Sequence, residues 1–117
     1  MEDKKLFQSL YEYFDNDTIK ELLLLAIESI NNNMKLVEES LVNKNSKELY
    51  RGCHNLKNIS LLGKDNIIVK FGTDMSKLIK NKNYNEINIK LFNKSFKVLK
   101  ENYNDFIKTV NNEINIL

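Results

Sequence analysis

An all-α fold is predicted by three features of this 117-residue chain. Helix breakers are nearly absent, with no proline and only three glycines. Apolar residues recur in steps of three and four along most of the length. Short polar strings of Asn, Asp, Lys and Ser punctuate those runs, and of these Asn, Asp and Ser start helices by accepting hydrogen bonds from free backbone N–H groups. The length fits one domain, residues 1–117, with a self-sufficient core.

Taken in order, Leu6, Phe7, Leu10, Tyr11 and Phe14 form a short apolar stripe, read as a first helix ending near Asp15-Asn16-Asp17. Thr18 with Glu21 has the form of a capping box, in which each side chain bonds the other's backbone N–H, so a long second helix is expected to begin there. Its seam of Ile19, Leu23, Ala26/Ile27, Ile30, Met34, Val37 and Leu41 keeps register across Asn31-Asn32-Asn33. One uninterrupted helix is therefore expected despite the weak helix propensity of asparagine. Asn43 to Ser46 make a short connection, which implies an antiparallel neighbour, and Asn45 with Glu48 repeats the capping pattern.

The central helix is expected to run to about Leu62 and stop at Gly63 in a left-handed conformation. Gly52 inside it costs about 1 kcal/mol relative to alanine, and close packing of another backbone behind it is a reason to tolerate that. Asp65 is expected to cap a fourth helix with the apolar face Ile67/Ile68, Phe71, Met75 and Leu78/Ile79. Asn83 with Glu86 is expected to open the last helix, whose seam runs Ile89, Phe92, Phe96, Leu99, Tyr103, Phe106, Val110, Ile114, Leu117. The architecture predicted is an antiparallel up-down-up-down four-helix bundle with a short additional N-terminal helix.

The charge balance, 18 basic residues against 16 acidic for a net +2, is interspersed along the chain. This argues against a nucleic-acid groove or an anionic membrane as partner. The single cysteine cannot form an internal disulfide, and no stretch reads as a signal peptide or membrane span, so a cytoplasmic protein is expected. Cys53 reads as a small core residue. No clustered Cys/His set points to a transition metal, and no glycine-rich phosphate loop points to a nucleotide, so no cofactor and no intrinsic kinase activity are expected.

The one histidine lies within Leu49 to Gly63, LYRGCHNLKNISLLG. Wound at about 100° per residue, Leu49, Gly52, Cys53, Leu56 and Ser60 share one side. His54 falls on the other, toward water, with Arg51 and Lys57 one turn away, Lys47 two turns back, Asn58 one turn on and Leu61 on the same side.

Cys53-His54-Asn55-Leu56-Lys57-Asn58-Ile59-Ser60, ahead of Gly63, resembles the core of the histidine-containing phosphotransfer (HPt) family. That pattern is a small residue, His, any residue, Leu or Ile, Lys, Gly, two small residues and, further along, a hydrophobic residue and glycine. The likeness covers roughly the whole chain, with two departures: Asn58 stands in place of the first glycine, and Gly63 comes one residue early. The resemblance implies a monomeric phosphorelay carrier that is not itself an enzyme. His54 would accept a phosphoryl group from the aspartyl phosphate of a receiver domain, in a response regulator or hybrid histidine kinase, and pass it to another receiver. Magnesium would come with the receiver, and Lys57 would place an ammonium beside the transferred group. Lys47, Arg51, Asn58 and Leu61 would contribute to partner binding. Asn58 and the short spacing also fit an adaptor that binds a receiver or kinase without carrying phosphate. A third reading, a bundle that docks a partner through its aromatic helix, requires the last seam to be exposed.

Overall fold

The amphipathic seams become the buried faces of five α-helices in a computed structural model that describes residues 2–63 and 65–117, the side chains of residues 2–6 excepted. Leu6 of the predicted stripe therefore lies outside the described side chains. The helices are α1 (Glu2–Tyr13), α2 (Asn16–Asn43), α3 (Ser46–Lys57), α4 (Ile67–Ile79) and α5 (Ile89–Ile116). Two 3-10 turns, Ser60–Leu62 and Tyr84–Glu86, lie between them, and no strand occurs among the described residues. α3 packs against both α2 and α4, α5 touches α4 and α2, and α1 leans on α2 and on the Ser60–Leu62 turn. No helix of the described residues is long and apolar enough to cross a membrane.

α2 runs unbroken through its three asparagines, burying Ile19, Leu23, Ala26, Ile30, Met34 and Val37 as its seam requires. α5 buries Phe92, Phe96, Leu99, Phe106, Val110 and Ile114, so its aromatic seam belongs to the core and is not left for a partner. Phe71 of α4 joins Phe92 and Phe96 in a cluster with ring centroids 5.6 to 6.2 Å apart. Polar ties also join the helices: Tyr103 of α5 donates to Asn31 of α2, and Tyr11 of α1 donates to the buried carboxylate of Glu113 in α5.

The caps differ from the expected ones in three places. Asp15, not Thr18, caps α2, accepting from the Thr18 N–H at 2.8 Å. Asn66, not Asp65, caps α4, accepting from the Ile68 N–H at 2.8 Å. Asn88, not Asn83, caps α5, accepting from the Leu91 N–H at 3.1 Å. A cap stands in extended or otherwise non-helical backbone with the helix beginning at the next residue, and Thr18 is already helical. The Asn83–Glu86 pair does form, with the Asn83 N–H donating to Glu86 Oε1 at 2.9 Å, but it closes the Tyr84–Glu86 turn. Asn45 caps α3 as expected, accepting from the Glu48 N–H at 3.2 Å.

α3 ends at Lys57 instead of running to Leu62. Had the helix continued, its winding would have turned Ser60 inward with Leu56 and carried Leu62 off the buried face. Breaking at Asn58 reverses this: Ser60 is exposed, while Ile59 and Leu62 both enter the core. Gly63 does take a positive φ of 85°, but it closes the Ser60–Leu62 turn and not α3.

Candidate functional site

Two glycines let neighbouring helices press on α3 behind its histidine. A Cβ on Gly72 of α4 would stand 2.4 Å from the Lys57 backbone nitrogen and 2.6 Å from the Cys53 carbonyl oxygen, so α4 lies directly on the backbone of α3. A Cβ on Gly52 would meet Val37 Cγ2 of α2 at 2.9 Å and the Asn33 carbonyl oxygen at 3.4 Å. Gly52 was expected to admit another backbone, but its tightest contact is the Val37 side chain, with backbone atoms of α2 at 3.4 and 3.5 Å. The last turns of α3 are thereby clamped between two longer elements, and a side chain rooted there has little backbone freedom. Cys53 is fully buried in that clamp, and burial pushes its thiol up to about 12, which keeps it out of thiolate chemistry.

His54 is half-buried, so its ring does not stand wholly in water as the winding alone implied. Tyr50, one turn earlier on the same helix, stacks its ring on the imidazole with centroids 5.5 Å apart and planes 28° from parallel. Nδ1 is fully buried and has no hydrogen-bond partner among the described residues. Lys57 is half-buried and is the last residue of α3.

The other predicted residues are distributed around this turn. Arg51 is exposed and paired with Glu48, Nη2 to Oε2 at 2.7 Å; an exposed pair of this kind contributes at most about 1 kcal/mol and leaves the guanidinium easy to recruit. Asn58 is the exposed C-cap of α3, its N–H donating to the His54 carbonyl at 3.2 Å and the Asn55 carbonyl at 3.1 Å. It lines a groove between α2 and the Ser60–Leu62 turn together with Leu25, Asn33, Asn55 and Leu61. Leu61 is thus in a turn and partly packed on the core, not on the helical face that carries His54. Lys47 is exposed and lines a second groove with Tyr50, Lys80 and Lys82.

Sequence reasoning missed three contributors. Tyr50 was legible as the fourth residue before His54, a spacing at which helical side chains meet. Gly72 was legible as a glycine inside an amphipathic pattern, which signals close backbone approach. The Asn55 Nδ2 to Asn33 Oδ1 hydrogen bond of 3.0 Å between α3 and α2 had no signal, because the chain offers so many other asparagines. Compared with known proteins, the chain matches no protein-family model, no curated protein and no solved structure.

Proposed function

We propose that this protein is a histidine phosphocarrier of the HPt type, built as an up-down-up-down bundle, taking a phosphoryl group on His54 from one receiver domain and delivering it to another. The observation that carries the reading is the setting of the sole histidine: a partly exposed imidazole on a helix whose backbone is clamped from two sides, with a lysine one turn on. Phosphoryl transfer asks little covalent chemistry of the acceptor and depends on positioning and charge. The burial of Nδ1 supports Nε2 as the attacking atom. Its lone pair forms the N–P bond as the acyl-phosphate P–O bond breaks, the aspartate leaving with that electron pair, while the ring proton stays on Nδ1. Lys57 neutralises charge on the transferred oxygens, and Lys47 and Arg51 steer an acidic receiver surface. Asn58, in place of the family's glycine, favours the second reading, an adaptor that binds a receiver or kinase without carrying phosphate.

The two are separated by incubating the protein with a receiver domain charged by acetyl phosphate. The carrier is labelled with an acid-labile, base-stable phosphate, and His54→Gln abolishes the label while Lys57→Ala slows its appearance. A labelled His54→Gln variant removes His54 from the mechanism, and binding without labelling by any receiver establishes the adaptor.

A further inference from the structure

We propose that Tyr50 is a positioning residue for His54, setting the plane of the imidazole by ring stacking where other active histidines use a hydrogen bond. The inference rests on the phosphocarrier reading for its kinetic consequence and on geometry for the rest. A working histidine ordinarily has one ring nitrogen held by a carboxylate or a carbonyl, which fixes both the plane of the ring and the site of its proton. His54 lacks that arrangement, because Nδ1 is enclosed and has no hydrogen-bond partner among the described residues. What the ring has is the face of Tyr50 at a centroid distance of 5.5 Å.

Tyr50 is suited to the role because it is half-buried against the core. It acts as a wall and not as a swinging side chain. Both rings hang from one helix that is clamped by Gly52 and Gly72 contacts, so the stack inherits the rigidity of the backbone. A stack restrains the plane of the imidazole through its face and occupies neither ring nitrogen. Orientation then comes from Tyr50, while the enclosure of Nδ1 leaves Nε2 as the attacking atom. In-line transfer is sensitive to such orientation: a displacement of about 1 Å at a reacting atom costs on the order of 100-fold in rate.

The test replaces Tyr50 in three ways: Tyr50→Phe keeps the ring and removes the hydroxyl, whereas Tyr50→Leu and Tyr50→Met remove the ring and keep apolar bulk. Thermal melts identify which variants are folded. Because the chain has a single histidine, its imidazole protons give one resolvable set of NMR signals. Expected are ring-current-shifted imidazole protons in wild type and Tyr50→Phe, and loss of that shift in the ringless variants. Phosphotransfer from a charged receiver is expected to be about tenfold slower in the ringless variants, equivalent to about 1.4 kcal/mol, and within about twofold of wild type in Tyr50→Phe. A folded ringless variant that loses the shift yet transfers at the wild-type rate overturns the proposal. So does a Tyr50→Phe variant as slow as the ringless ones, since that places the effect in the hydroxyl. If wild type itself takes no phosphate, the carrier reading fails, and the ring-current comparison alone then decides whether Tyr50 orients His54.

Discussion

Replacing Gly72 with alanine adds one methyl group where α4 meets the backbone of α3, and the structure sets the size of the effect. The new Cβ would lie 2.4 Å from the Lys57 nitrogen, 2.6 Å from the Cys53 oxygen and 2.9 Å from the Lys57 Cα. All three are backbone atoms, so no rotamer change relieves the overlap and one helix must move. Overpacking costs about 1–3 kcal/mol, and a backbone overlap belongs at the top of that range. Alanine's better helix propensity returns about 1 kcal/mol. The net loss is about 2 kcal/mol, or a fall in Tm of roughly 8 °C for a domain of this size. Gly52→Ala is the control: its tightest contact is a Val37 methyl at 2.9 Å, and its next is 3.4 Å from the Asn33 oxygen. Propensity and crowding there nearly cancel, leaving a net change within about 1 kcal/mol. Circular dichroism melts and urea midpoints measure both. A Gly72→Ala protein that melts at or above wild type would refute the close approach of α4 to α3.

Two further stability measurements check the helix starts. Asn66→Ala removes a buried cap and is expected to cost about 1–2 kcal/mol in urea unfolding, whereas Asp65→Ala changes stability by no more than about 0.5 kcal/mol; equal losses would mean that the cap is shared. At the start of α2, the hydrogen bonds of Thr18, its backbone N–H first, hold the Asp15 carboxyl below its ordinary 3.8. The unfolded chain therefore binds that proton more readily, and the stabilisation is present above the ordinary value and lost as pH falls through the lower folded one. The gap in melting temperature between wild type and Asp15→Ala is expected to narrow as pH drops from about 5 to about 3; a constant gap would exclude the ionised cap.

The seams were the legible part of the fold, because a step of three and four residues encodes which face is buried whatever the neighbours are. Ile19 to Val37 and Phe92 to Ile114 are buried as the spacing demands. Helix starts were less legible because the chain supplies several competent caps within a few positions. Asp65 and Asn66 are adjacent and chemically alike, and Asn66 is the one that packs into the interior. The end of α3 was hidden for another reason: local propensity does not forbid a helix through Leu62, and only the joint demand of Ile59 and Leu62 for the core unwinds it. At the candidate site, His54 and Lys57 stand one turn apart on α3 as read, although the helix ends at Lys57 and not at Leu62, whereas Leu61 was assigned by a winding that the early stop removes. Tyr50 was within reach of pattern reasoning, but the enclosure of Nδ1, without a hydrogen-bond partner among the described residues, depends on surroundings that spacing does not encode.

The stop at Lys57 places the imidazole in the final turn of α3, where carbonyl ends point out of the helix and gather partial negative charge. That terminal field favours a cation by about 0.3–1 kcal/mol and opposes an anion by a similar amount. A negatively charged adduct on this ring would therefore rest on an electrostatic slope, partly levelled by the neighbouring ammonium of Lys57. Such a seat suits brief occupancy better than storage.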